Sequence, residues 1–287
     1  GVGEMTKVLP DAAVYRIFFQ SHLYAVVIVL AGFVTSLYGV ARMRWMLGVR
    51  LLALAVVLVS LSRSLWIGLA AGYLFTIIYA FLSLRSQKDK GPYFWKQTLL
   101  TEIGLVTAAM LLVVFVAILP WPPAQPASLR QVIESRADIQ EDAAKSRWKL
   151  LPVLQAKIQK HPILGSGFGS TVTYQTHDPR LVASQQRTYT TFTVEWGWHE
   201  FWVKFGVIGI PLMAAVLLLL FRRVSRSTLP PWFVAVTAGT LAALAVTHVF
   251  TPYLNHPLGF FIILLVEGIL MGSTRWRKRL SPEVLSV

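Results

Sequence analysis

Residues 62–85 read "SRSLWIGLAAGYLFTIIYAFLSLR", and positions 65–84 form an uncharged run between two arginines. A helix crosses a bilayer core with about 20 mainly apolar residues, and this run has that length. Six further candidates lie at 22–40, 45–61, 98–119, 200–221, 231–250 and 258–273. The whole chain agrees: it is 55% hydrophobic and 14% charged, with mean hydropathy +0.59, outside the range of soluble domains. Ten Trp, nine Tyr and fifteen Pro suit helices with interfacial aromatic anchors and tolerated kinks. The expected fold is therefore all-α, a polytopic transmembrane bundle of about seven spans with one helical extramembrane loop.

The charges orient it. Formal net charge is +14, which in a soluble chain would suggest nucleic acid. Here the basic residues gather in alternate connections, in "ARMR" at 41–44 with Arg50 nearby, "RSQKDKGPYFWK" at 85–96, "RRVSR" at 222–226 and "RWRKR" at 275–279. Apart from Asp89 these connections hold no acid. The positive-inside rule makes them cytoplasmic and puts the C-terminus inside; it accounts for the charge, and no nucleic-acid partner is expected. The other side then holds residues 1–21, "LSRS" at 61–64, the long segment 120–199 and "TPYLNHP" at 251–257. An outside start without a signal peptide, at Gly1, leads us to expect a missing upstream portion. Three units are expected: four spans over 1–119, a loop over 120–199 and three spans over 200–287.

Segment 120–199 opens with "PWPPAQP", a stiff linker. In the following stretch Leu150, Leu151, Leu154 and Ile158 recur at helical spacing and predict an apolar face, with basic residues opposite. Pro152 is expected to start a new helix or kink an existing one. His161-Pro162 and "GSGFGS" end the helical pattern. The glycines at 165, 167 and 169 read as a turn approaching the membrane, since they match neither dinucleotide nor nucleotide triphosphate loops.

Several ionisable residues on the outer side could carry chemistry. Arg63 sits in a very short turn where charge bias gives no reason for it. It could snorkel to headgroup phosphates or hold an anion in a cavity. Arg147, beside Lys145, Lys149 and Trp148, could line a solvated basic face or grip a negatively charged lipid-linked substrate. His199 lies in "FTVEWGWHEFWVKFG" at 192–206, among three tryptophans that read as interface anchors. Glu200 and Lys204 at i,i+4 can pair on the helix surface. That leaves His199 and Glu195 less occupied, and an imidazole can accept a hydroxyl proton at neutral pH. His22, His177, His248 and His256 are weaker candidates, the last two lying near the last outer loop. For Glu102 and Glu267 pairing with nearby polar or cationic groups is expected. With no cysteine, and no histidines at metal-binding spacing, no metal site and no cofactor are expected.

In this order and topology the chain resembles the O-antigen ligase and polymerase superfamily of bacterial membrane glycosyltransferases. "SLSRSLWIGLAAGYL" at 60–74 is similar to its Ser-Arg turn before a small-residue helix. "SRWKLLPVLQAKIQKHPILGSGFGS" at 146–170 resembles its Arg-Trp helix and His-Pro-x-x-Gly-x-Gly turn. "HEFWVKFGVIG" at 199–209 resembles its His-started helix with a Gly-x-x-Gly ending, although Glu200 stands where the family has Asn or Ser. The resemblance runs over about residues 15 to 275. It implies transfer of a glycan from undecaprenyl pyrophosphate to a lipid A–core hydroxyl at the periplasmic face of the inner membrane, metal-independent and inverting. On that reading His199 is the base, and Arg63 and Arg147 answer the leaving group's charge. Lys145, Lys149, His161 and Glu195 complete the expected substrate-binding set. The alternatives are a polymerase or protein O-glycan ligase of the same superfamily, a transporter or flippase of anionic lipid, and a non-catalytic membrane subunit. A transporter would carry charged residues or breaks in several spans, which the spans mostly lack in sequence.

Overall fold

The computed structural model describes residues 4–7, 15–39, 44–84, 92–118, 142–175 and 188–280. The linker at 120–126, His177 and the first part of the predicted loop helix lie outside these residues. Nine α-helices occur among those described: α1 (His22–Leu37), α2 (Arg44–Val59), α3 (Arg63–Leu84), α4 (Pro92–Ile118), α5 (Asp142–Lys160), α6 (Gly197–Phe205), α7 (Gly209–Ser225), α8 (Pro231–Phe250) and α9 (Pro257–Leu280). A short 3₁₀ turn, Tyr253–Asn255, joins α8 to α9.

The expected all-α membrane architecture is what forms, with fewer clear spans than seven. Segments Arg63–Ser83, Lys96–Phe115 and Pro231–Phe250 are long and apolar enough to cross a membrane. His22–Leu37, Trp45–Val59 and Pro257–Ser273 are shorter apolar helices; α1, with 16 residues, is about 24 Å long. The predicted span 200–221 is not one helix: α6 and α7 meet at 118°. Apolar side chains such as Leu74, Ile78 and Leu82 on α3 and Leu99, Ile103 and Leu111 on α4 remain uncovered, as suits contact with hydrocarbon.

Packing is closest where side chains are smallest. The most extensive helix pairing is α3 on α8. A Cβ on Gly72 would stand 3.0 Å from the Gly239 carbonyl oxygen, and one on Gly239 would stand 2.9 Å from that of Gly72. The "GLAAG" run of α3 thus lets two backbones touch, the packing that membrane helices use when no hydrophobic force separates protein from lipid. Leu23, Val26 and Leu30 of α1, Leu54 and Val57 of α2, Leu65 and Leu69 of α3 and Leu241 and Leu244 of α8 fill the core around this contact.

Two short antiparallel ribbons were not expected. β1 (Glu4–Lys7) pairs with β2 (Tyr15–Phe18), and β3 (Val172–Gln175) pairs with β4 (Thr188–Thr191). The second is built from alternating β-branched and aromatic residues. Tyr174 meets Tyr189 edge-on at 5.9 Å, and the Thr173 and Thr190 hydroxyls lie 2.8 Å apart. These are cross-strand pairs of the kind that stabilise a ladder.

Arg50 corrects the reading of the connections. It lies inside α2 rather than in a cytoplasmic loop, and its side chain is 2% exposed. Its Nη2 donates to both carboxylate oxygens of Glu102 on α4 at 2.6 Å, and Nη1 donates to Ser36 of α1 at 3.3 Å. The Tyr73 hydroxyl of α3 donates to the same carboxylate at 3.1 Å. Gly32 leaves room for the Arg50 stem, since a Cβ there would meet its Cδ at 2.2 Å. Pairing of Glu102 was expected; that one cluster would tie four helices was not, and the spans are less free of charge than the sequence suggested. Glu267 of α9 also pairs as expected, with Arg223 of α7. Breaking a buried ion pair leaves an uncompensated charge at about 3–5 kcal/mol, whereas replacing both partners by apolar groups is often neutral. Arg50→Met and Glu102→Met are each expected to lower the thermal unfolding midpoint strongly. The double variant should recover most of the loss, and a fall in midpoint for the double equal to the sum of the two single falls would contradict a coupled pair.

Candidate functional site

Helix α5 runs unbroken through Pro152, so neither a new start nor a separate second helix occurs there. The proline ring lies on an exposed position, while the opposite face is held by packing. As predicted, Leu150, Leu154 and Ile158 are buried, here against Val172, Val194, Trp196 and Val203. This small core seats α5 on the segment 194–203.

Arg147 begins the described side chains of α5 and meets Glu195. Its Nε donates to Glu195 Oε2, and its Nη2 donates to Oε1 at 3.1 Å. Glu195 is therefore not the unoccupied carboxylate expected from sequence. The pair is half-exposed, at 32% and 43% for the two side chains. Two of the five guanidinium N–H groups are used among the described residues, which leaves three.

The tryptophans of this segment do more than mark an interface. Trp196 donates its indole N–H to the Arg147 carbonyl at 2.9 Å, Trp198 to that of Ala245 at 3.3 Å and Trp202 to that of Pro162 at 3.0 Å. Each pins α6 or its approach to a different element. His199 packs edge-on to Trp196, with ring centroids 5.9 Å apart. It is half-buried and has no hydrogen-bond partner among the described residues.

Glu200 and Lys204 pair as the i,i+4 spacing predicted, but they are buried, at 2% and 5%, not on the surface. The Val194 N–H also donates to Glu200, and the Lys204 ammonium stands 4.7 Å from the Phe168 ring centre. Phe168 belongs to the glycine-rich turn, which docks on the end of α6. Ser166 N–H donates to the Val203 carbonyl at 2.7 Å, Gly167 N–H to that of Lys204 at 3.1 Å, and Val207 N–H to that of Pro162 at 2.9 Å. The turn therefore caps the break between α6 and α7.

The start of α6 meets the end of α8. A Cβ on Gly197 would stand 2.2 Å from the His248 carbonyl oxygen, and Trp196 packs on Phe250 at 5.8 Å. On the other flank of α8, Thr251 donates to Ser64 at 2.9 Å, and Ser64 lies 3.0 Å from Ser62. Those serines flank Arg63, the first residue of α3. The turn before it holds Leu61 at φ 45°, an uncommon left-handed conformation for a bulky residue, and the Trp66 indole braces it on the Val57 carbonyl at 3.0 Å.

Residues 247–251 thus gather the turn of Arg63 and the helix of His199, with Arg147 joined through Trp196. His161 is elsewhere, exposed just past the far end of α5; thirteen residues at 1.5 Å each set Lys160, the residue before it, about 20 Å from Arg147. Lys149 is exposed on α5, and the side chain of Lys145 lies outside the described residues. His248 does not line an open cavity. It is fully buried between Trp198 and Phe201, and its Nδ1 accepts from the Leu254 N–H at 3.1 Å. His256, in the turn between α8 and α9, accepts from the Leu258 N–H at 3.2 Å, and burial lowers its pKa from the ordinary imidazole value. Among the described residues no group of three or more His, Asp or Glu is placed to hold a metal.

Fold and site together define a helical, multi-pass membrane protein in which the segment carrying α5 packs on a broken helix. The family model described as O-Antigen ligase matches residues 48–214, more than half of the chain, and the chain belongs to that family. It is accordingly a membrane enzyme of the O-antigen ligase and polymerase type. The match spans Arg63, Arg147, His161, Glu195 and His199. No curated protein and no solved structure matches the chain.

The junction makes a direct prediction. Gly206 adopts φ 69°, ψ −169°, a region essentially reserved for glycine and costing other residues about 1–3 kcal/mol. A Cβ there would also stand 1.8 Å from the Ile163 carbonyl oxygen. Gly206→Ala should lower the unfolding midpoint and open the 162–167 turn to limited proteolysis. Gly104→Ala, where a Cβ meets nothing within 4 Å, should leave both unchanged.

Proposed function

We propose that the chain transfers a glycan from undecaprenyl pyrophosphate to a sugar hydroxyl of a lipid A–core acceptor, at the periplasmic face of the inner membrane. His199 takes the acceptor hydroxyl proton, and the freed oxygen attacks the anomeric carbon from the side opposite the carrier. The bond from that carbon to the phosphate oxygen breaks, and undecaprenyl pyrophosphate leaves. The product is inverted, and the step is metal-independent. Arg63 and Arg147 meet the negative charge that grows on the leaving group, which preorganised cations stabilise far better in a dry site than in water.

The observation that supports this reading is the convergence of the Arg63 turn and the His199 helix on residues 247–251, with Arg147 held beside them by Trp196. His199 has no hydrogen-bond partner among the described residues, so its nitrogens remain available to a hydroxyl. Glu195 orients the Arg147 guanidinium while leaving three N–H groups for phosphate oxygens. Holding two lipid-anchored reactants at one depth contributes through orientation.

Reconstitution of the purified chain with lipid-linked glycan and lipid A–core tests this. His199→Ala is expected to reduce transfer by about 100-fold or more, the range of a general base. Arg63→Ala and Arg147→Ala should each cost a similar factor, in the range of a lost transition-state donor, and Arg147→Lys should not restore activity because the fork geometry is lost. Unimpaired transfer by all three alanine variants, with unfolding midpoints like the parent, would sink the assignment.

A further inference from the structure

The far end of α5 has a feature that the transfer reaction does not use. A groove of about 430 Å³ lies between the last turns of α5 and β3, lined by Lys157, Lys160, His161, Ser166, Ser170 and Thr173 among others, with no carboxylate among the described residues of its wall. The Lys157 ammonium donates to the Thr171 carbonyl, which fixes it at the groove. Lysines in a last helical turn ordinarily answer the helix C-terminal carbonyls, and that alone would explain two of them. It does not explain the serines. The hydroxyls of Ser166 and Ser170 are buried and have no hydrogen-bond partner among the described residues, an arrangement that costs free energy unless something accepts from them.

An anion with several acceptor oxygens would satisfy both hydroxyls and the two ammonium groups together. The surroundings say how it is anchored. The same turn leaves Ile163, Leu164 and Phe168 exposed, Leu164 at 78%, and the adjoining break leaves Phe205, Val207 and Ile208 exposed. An apolar rim beside a basic groove is the pattern of a segment seated at a membrane surface, with aliphatic groups in the acyl boundary and cations at headgroup level.

We propose that this groove binds the phosphate headgroup of a membrane lipid, at a site separate from the Arg147–Glu195 end of the helix. Lys157 and Lys160 supply the charge, and the Ser166 and Ser170 hydroxyls donate to the phosphate oxygens. The proposal stands apart from the catalytic assignment, since Lys157, Lys160, Ser166 and Ser170 have no part in transfer; His161, expected from sequence in the substrate-binding set, lines this groove instead of the Arg147 end.

Native mass spectrometry of the detergent-purified full chain with added phosphatidic acid provides the test. The parent should retain the lipid, and Lys157→Gln with Lys160→Gln should weaken retention by roughly tenfold or more, from about a factor of five per basic residue at a headgroup. Ser166→Ala with Ser170→Ala should weaken it as well while leaving the unfolding midpoint unchanged or raised, because an unpartnered buried hydroxyl is removed. Phosphatidylcholine should bind less than phosphatidic acid, and inorganic phosphate at equal concentration should not displace the lipid. Equal retention by the parent and both double variants would overturn the site. Displacement by inorganic phosphate would overturn the lipid assignment.

Discussion

A helix that breaks between packed elements leaves carbonyl and amide groups without intrahelical partners, and each one that is buried is costly unless another part of the chain pairs with it. At the break between α6 and α7 the partners come from the turn 162–167, some forty residues earlier. The Val203 and Lys204 carbonyls accept from the turn, and Val207 N–H donates to it. Two stretches of backbone can approach this closely only without side chains between them, which is why Gly165 and Gly206 face one another, both at positive φ. Once that junction closes, α6 must leave α7 at a steep angle, and its first residues are carried against the end of α8. The position of His199 is therefore a consequence of backbone pairing elsewhere, at the other end of its helix.

Burial sorts the ion pairs. Arg50–Glu102 and Glu200–Lys204 are almost wholly removed from solvent; Tyr73 and the Val194 backbone add donors to their carboxylates, and Ser36 accepts from the Arg50 guanidinium. Such pairs are expensive to open, because each charge left behind would be unsolvated; they fix helix positions and have little capacity left for a ligand. Arg147–Glu195 is different. It is half-exposed, and the guanidinium keeps N–H groups beyond the two it spends on Glu195. An arginine oriented by one carboxylate and open on its remaining edge can take up a second anion without first losing its partner.

Much of the bundle was legible in the sequence because lipid imposes a simple demand, long apolar runs bounded by basic loops, and α3, α4 and α8 meet it directly. The i,i+4 pair Glu200–Lys204 and the apolar face Leu150, Leu154 and Ile158 were legible from helical spacing. What spacing could not supply was which groups are buried: Arg50 read as a loop cation, and Glu200–Lys204 as a surface pair. The break in 200–221 had a signal, since "GVIGIP" at 206–211 places two glycines and a proline within six residues. A hydropathy window averages over such a sequence, because Val207 and Ile208 are as apolar as the helices on either side. The β3–β4 ribbon was likewise signalled by alternating Thr, Tyr and Val, and was hidden by the polar segment between its strands. The pairing of Glu195 with Arg147 had no local signal, because forty-eight residues separate them.

The two ends of α5 deserve to be considered as one rigid body. Leu150, Leu154 and Ile158 seat it along its length on Val172, Val194, Trp196 and Val203, so Arg147 and Lys160 cannot move independently. A rigid helix of this kind sets the separation between an anion held at its first turns and one held at its last, about 20 Å by helical rise. If both reactants are lipid-anchored, as the proposed transfer requires, such a fixed spacing would restrict their orientation, because translation out of the plane is already lost. The shallow, open character of the surface around α5 is then no obstacle to specificity. On the proposed transfer reaction, the bilayer would supply one wall of the site, and the helix would fix where along that wall the charged groups stand.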